Sequence, residues 1–179
     1  MSVRVKWAAG LLLAGALFWL LYAAFISRPT VEKSAGGVAG SRSVASDFVL
    51  KDVRGKNIRL SQYRKQVVLL VFMTTWCSYC RAEIPYLKDL HARYGSKGLV
   101  ILNIDIQESR EKAAAYTGKY DLPYDTLLDS QGDVMQQYGV HGVPSKTLID
   151  RNGRILCWNC RALENHLADQ FEDSAPKGG

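Results

Sequence analysis

Cys77 and Cys80 are separated only by Ser78 and Tyr79 in the stretch Thr75-Trp76-Cys77-Ser78-Tyr79-Cys80. Two thiols at that spacing can close a disulfide, exchange it with another, or help to hold a metal ion. The setting separates these chemistries. The run before them, Val67-Val68-Leu69-Leu70-Val71-Phe72, is short, rich in β-branched residues and apolar on both faces, which predicts a buried central strand. After it, Cys80, Ile84, Leu87, Leu90 and Tyr94 recur at helical spacing until Gly95 offers a stop. A strand running into a helix puts Cys77 in the first turn, where unpaired amides and the macrodipole favour an anion. Cys77 is therefore expected to have a lowered pKa and to be the attacking sulfur. Cys80, one turn on and facing inward, would be its resolving partner.

A second pair, Cys157 and Cys160, flanks Trp158-Asn159 where an apolar strand end and a turn are expected. Three readings are open. The pair could be a second redox centre relaying electrons to or from Cys77/Cys80 or a partner. It could be a structural disulfide pinning the last strand to the final helix, with modest entropic stabilisation from so small a loop. It could bind a metal with His166, although the long gap between the pairs is unlike zinc-ribbon spacing. Arg81 and Arg161, not histidine, follow the two pairs, which disfavours covalent haem attachment. Four cysteines with none left over suit paired redox use in an oxidising compartment, or one metal site. The working expectation is no metal and no cofactor. His91 and His166 read as surface or half-buried residues, and His141 as a loop residue close to the chemistry.

The elements that must position these residues follow from the rest of the chain. Its 179 residues suit one domain plus an extension, and its net charge of +6 is scattered rather than clustered. No basic run interleaves with aromatics, so solvated faces rather than a nucleic-acid surface are expected. Ala8 to Ile26 is 19 residues without a charge, enough to cross a bilayer. It reads as an uncleaved anchor rather than a cleaved signal, because it is long and its exit lacks a small-x-small site. Residues 1–26 are thus expected to be a transmembrane helix and 27–45 a linker rich in Gly and Ser. A folded domain over 46–173 and a polar tail at 174–179 complete the chain. The weak excess of Arg4, Lys6 and the amino terminus over Arg28 and Lys33 orients that domain outward. The expected location is a single-pass cell-membrane protein with an extracytoplasmic, periplasmic domain.

Within the domain, residues 47–50 and 58–60 predict a small hairpin, and Ser61-Gln62-Tyr63 a short helical turn. Leu99 to Ile104 predicts a second buried strand. Ser109 can cap a helix running to about Lys119. Thr126-Leu127-Leu128 predicts a short strand, and Val134, Met135 and Tyr138 a short helix ending at Gly139. Asp150-Arg151-Asn152-Gly153 between apolar runs predicts a hairpin. Leu163, Leu167 and Phe171 share one side of a final helix. The sum is an α/β sandwich with a mixed central sheet flanked by helices.

Four stretches carry a family resemblance. Asp47-Phe-Val-Leu-Lys-Asp52, Val67-Val-Leu-Leu-Val-Phe72, Trp76-Cys-Ser-Tyr-Cys-Arg-Ala-Glu-Ile-Pro85 and Tyr138 through Gly153 resemble membrane-anchored thioredoxin-like proteins of the TlpA/ResA type. The resemblance implies a thioredoxin-like fold and thiol–disulfide exchange with protein disulfide or dithiol substrates, apocytochromes among them. It implies a membrane or periplasmic redox partner that resets the pair. It makes Cys77 the nucleophile and Cys80 the resolving cysteine. Trp76 stands beside the nucleophile. Pro144 matches the cis-proline that lies against the pair, Val143 supplies backbone to a bound substrate chain, and Pro85 bends the active-site helix. The expected activity is a reductase with a place in cytochrome c maturation, although the dipeptide Ser78-Tyr79 does not fix the direction.

Two departures stand out. Val71 occupies the place where thioredoxins keep a buried Asp, with Glu83, Glu108 and Glu111 as candidates to replace it or as ordinary solvated carboxylates. Ser145-Lys146 follows the proline in place of Thr-Thr. Two other functions compete. Thr74 precedes Cys77 by three positions as in peroxiredoxin-type thiol peroxidases, without the proline of their motif. A Sco-like copper-delivery protein would use Cys77, Cys80 and His141, although such proteins space their cysteines more widely.

Overall fold

The structure is a computed structural model and describes residues 43–171. The expected anchor, most of the expected linker and the tail lie outside the described residues. Among the described residues no helix is long and apolar enough to cross a membrane.

β1 (Val49–Asp52) and β2 (Asn57–Arg59) pair antiparallel, joined by a turn organised by Asp52. The Asp52 carboxylate accepts from the N–H groups of Arg54 (2.9 Å) and Lys56 (2.8 Å). A 3-10 turn (Leu60–Tyr63) then leads to β3 (Val67–Met73). The first helix, α1 (Ser78–Tyr94), is followed by β4 (Leu99–Ile106), α2 (Arg110–Lys119) and β5 (Asp125–Asp129). A short α3 (Asp133–Gln137), β6 (Ser145–Ile149), β7 (Ile155–Cys157) and α4 (Leu163–Phe171) complete the domain.

The strands form one mixed sheet in the order β2-β1-β5-β4-β3-β6-β7. β3 runs parallel to β4 and antiparallel to β6, and β4 runs parallel to β5. This is the mixed α/β sheet expected from the sequence.

β3 is apolar on both faces because both are covered. Val68, Leu70 and Phe72 pack with Ile104, Leu127 and Tyr138, on the side that receives α3. Val67, Leu69 and Val71 pack with Leu87 and Leu90 of α1 and with Leu163 and Leu167 of α4. Each such side chain contributes about 1.5–3 kcal/mol by leaving water. That burial fixes the carboxyl end of β3, from which the chain enters the site.

The β6–β7 turn is set by Asp150, whose carboxylate accepts from the N–H groups of Asn152 and Arg154, both at 2.8 Å. Gly153 closes the turn at φ +76°, a conformation that side chains disfavour.

Candidate active site

Cys77 is the N-cap of α1. Its sulfur accepts the N–H of Cys80 at 3.1 Å, filling the place that Ser or Asp takes at ordinary helix starts. An N–H aimed at sulfur, at the positive end of a helix of 17 residues, stabilises the charge of a thiolate. The two cysteines are joined as a disulfide with their Cα atoms 5.3 Å apart. Cys77 is 6% exposed and Cys80 5%. The flanking aromatics are the opposite: Trp76 is 71% exposed and Tyr79 76%. A disulfide sunk just below a rim of exposed rings is reached by a shaped partner more readily than by bulk solvent.

The loop between β6 and the preceding helix closes the other wall. The Val143–Pro144 peptide bond is cis, and the carbonyl oxygen of Val143 lies 3.9 Å from the Cys77 sulfur. Both residues are half-buried beside the Cys77 sulfur. His141 is exposed on the same loop. Pro85 lies inside α1 and withholds an N–H from the carbonyl of Arg81.

Three carboxylates stand on the elements that frame the pair. Glu108 accepts the N–H of Thr75 at 2.5 Å and its hydroxyl at 2.7 Å, and so holds the two residues before Cys77. Asp105, at the end of β4 and opposite Met73 in the β3 register, is 1% exposed. Neither of its oxygens has a hydrogen-bond donor in reach. Burial, and then the charge of Glu108, push its carboxyl up to about 8. A hydrogen bond between the two carboxyls becomes available only when Asp105 carries a proton. Glu83, one turn after Cys80 on α1, is ion-paired with Lys146 of β6. Its other oxygen is buried without a partner. Burial also pushes the nearby Tyr116 phenol up to about 12, so it stays neutral.

Val71, where thioredoxins carry a buried Asp, faces Leu87 and Leu90 and offers no charge. Glu83 and Glu108 are engaged rather than solvated, while Glu111 is exposed on α2. Asp105 was not among the expected residues. Its alternation with Asn103 in an otherwise apolar strand is the signal that could have marked it, since a charged residue inside a buried strand is rare.

Cys157 and Cys160 are joined to each other, with Cα atoms 5.4 Å apart. They link the end of β7 to the loop before α4.

The comparisons with known proteins agree with this site. Residues 42–157 match the AhpC/TSA family. The thiol-disulfide oxidoreductase ResA of Geobacillus thermodenitrificans is 37% identical over 145 residues, covering 81% of this chain and 79% of that protein. The chain belongs to the AhpC/TSA family, as a thiol-disulfide oxidoreductase of ResA type. A second ResA, from Bacillus cereus, is 33% identical over 146 residues, covering 82% of this chain and 80% of that protein. The crystal structure of the thioredoxin domain of a thiol-disulfide oxidoreductase from Bacteroides vulgatus superposes with a TM-score of 0.67 at 26% identity. It covers 74% of this chain and 98% of that one. The ResA-type chain is thus an enzyme of thiol–disulfide exchange on a thioredoxin-like fold.

Proposed function

We propose that the domain exchanges disulfides with extracytoplasmic protein substrates, Cys77 attacking and Cys80 resolving, and that it works as a reductase. In the reduced state the Cys77 thiolate attacks a substrate disulfide, and a mixed disulfide forms as the substrate's other sulfur leaves. Cys80 then attacks Cys77, releases the reduced substrate and restores the Cys77–Cys80 disulfide. A membrane or periplasmic dithiol partner would reset the pair. The single observation that carries this reading is the Cys77 sulfur at the N-terminus of α1, accepting the Cys80 N–H and facing the Val143 carbonyl. Trp76 and Tyr79 offer exposed rings against which a protein substrate can pack.

The uncharged stretch Ala8 to Ile26 supports a membrane anchor that holds the domain on the periplasmic side. Apocytochromes, which must present reduced thiols before haem attachment, are the substrate class proposed, with a place in cytochrome c maturation.

The test is trapping with Cys80→Ala in the full chain. Removing the resolving sulfur should leave the client bound to Cys77 through a disulfide that dithiothreitol releases. No trapped protein would overturn the exchange reading, and consumption of hydrogen peroxide by the purified chain would favour a thiol peroxidase instead.

A further inference from the structure

The Cys157–Cys160 disulfide packs apart from Cys77 and Cys80, in a different part of the core. We propose that it is a second thiol–disulfide exchange site, serving a dithiol of a partner protein. Cys157 is the sulfur that the incoming thiolate attacks, and Cys160 is the sulfur that leaves.

The two sulfurs differ in access. Cys157 is half-buried at the end of β7, whereas Cys160 is 6% exposed among Leu163, Leu167 and the α1 residues Leu87 and Leu90. An attacking group therefore meets Cys157 first. The covalent bond is also redundant as a fastener. The N–H of Cys160 donates to the Lys146 carbonyl at 3.0 Å, and packing holds the residue beside α4. Opening the disulfide leaves both restraints in place. It also leaves the Cys160 thiol with an acceptor, since its sulfur lies 3.3 Å from the carbonyl oxygen of Cys157.

A docking surface adjoins the pair. Trp158 is 49% exposed and stands 5.8 Å from the Tyr138 ring, centroid to centroid. Together with Gln137, Ser145, Thr147 and Asn159 these rings line an open groove of about 430 Å³. β7 pairs with β6 only at Leu148 and Ile149, and beyond that pairing the Cys160 N–H donates to the Lys146 carbonyl, so the groove is offered by side chains. Exposed aromatic rings beside polar side chains offer a partner protein an apolar surface with hydrogen-bonding groups at its margin. Each cysteine pair of this chain thus has an exposed tryptophan beside it.

The partner is external rather than the chain's own Cys77. Cys77 and Cys80 pack with Met73, Ile84 and Tyr116, while Cys157 and Cys160 belong to the separate group beneath α1 and α4. The exchange balances without further reagents. A partner thiolate attacks Cys157, the Cys157–Cys160 bond breaks, and Cys160 leaves with the electron pair and takes up a proton. The partner's second thiolate attacks its own sulfur in the mixed disulfide, and Cys157 leaves and is protonated. The chain gains two electrons and two protons, and the partner dithiol becomes a disulfide.

Reduced thioredoxin serves as the protein-dithiol probe, with the oxidised full chain in native buffer. Alkylation and peptide mass spectrometry read the two pairs separately, and circular dichroism reports folding. The expected result is loss of the Cys157–Cys160 disulfide while the chain stays folded, at the same rate in the Cys77→Ser/Cys80→Ser chain. Reduced thioredoxin whose second, resolving cysteine is replaced by serine should stay on Cys157 of the oxidised chain as a mixed disulfide. The proposal is overturned if the pair opens only with denaturant, or if its reduction vanishes in the Cys77→Ser/Cys80→Ser chain. Either failure leaves exchange at Cys77 intact, since the client trapped there is read independently.

Discussion

Glu108 holds Thr75 at two points, taking the backbone N–H at 2.5 Å and the hydroxyl at 2.7 Å. The loop that delivers Trp76 and Cys77 to the helix start is therefore tied to the end of β4 and not only to its own strand. Hydrogen bonds to a charged acceptor contribute about 1.5–3 kcal/mol each when part-buried. Glu108→Ala should lower the stability of the oxidised chain by about 1–3 kcal/mol in denaturant unfolding. Thr75→Ala, which keeps the backbone bond, should cost less. Equal losses in the two variants would show that the hydroxyl carries the tie.

Asp105 makes stability depend on pH with a definite sign. Its folded carboxyl is pushed up to about 8, chiefly by burial and then by Glu108. An unfolded Asp titrates near about 3.9. Between these values the folded chain holds a proton that the unfolded chain has lost, so stability falls as pH rises. The fall should begin near pH 4 and level off above about pH 8. Asp105→Asn should flatten that slope and be the more stable protein at pH 9, as read by thermal unfolding across pH.

Lys146 and Glu83 join β6 to α1 just past Cys80, with side chains 13% and 27% exposed. Such a pair lies between an exposed one, which contributes under about 1 kcal/mol, and a buried one, whose breaking costs about 3–5 kcal/mol. Lys146→Ala should therefore destabilise by about 1–3 kcal/mol. The double change Lys146→Ala/Glu83→Ala should recover part of it, because the stranded carboxylate is gone. A double-mutant cycle checks this, and an additive result would mean that the two side chains do not act together.

Trp76 is 71% exposed, so little of the fold rests on it, and the proposed function gives it a part in docking the substrate. Trp76→Ala should change stability by less than about 0.5 kcal/mol. For a protein disulfide substrate it should raise KM about tenfold, corresponding to roughly 1.4 kcal/mol, with little change in kcat. Steady-state kinetics with a small disulfide as control separates docking from chemistry, because the small substrate should be almost unaffected.

Much of this architecture can be read in the one-dimensional pattern. Val67–Met73 is buried along its whole length, as its unbroken apolar run requires, and α1 buries Cys80, Ile84, Leu87, Leu90 and Tyr94, the residues at helical spacing. Both signals are local periodicities imposed by a covered strand and a half-covered helix. The carboxylates were not legible in the same way. Glu83, Glu108 and Glu111 look alike as residue types, yet one is ion-paired with β6, one holds Thr75 and one faces solvent. Asp105 passes unnoticed until β4 is seen lying against Met73.

The sequence by itself determined the closely spaced cysteine pair and the strand and helix that present it, because spacing and chain direction place Cys77 at a helix start, while the Val143–Pro144 wall was implied by the family resemblance. Only the tertiary structure decided which charges stand beneath that pair and what becomes of the second one. Asp105 is closed in where β4 lies along Met73 of β3, Glu108 reaches Thr75 beyond the end of that strand, and the Cys160 N–H finds the Lys146 carbonyl of β6. Burial and neighbouring charge act through space, so residue type alone does not specify them. Their cost and their use are set only when the sheet has formed.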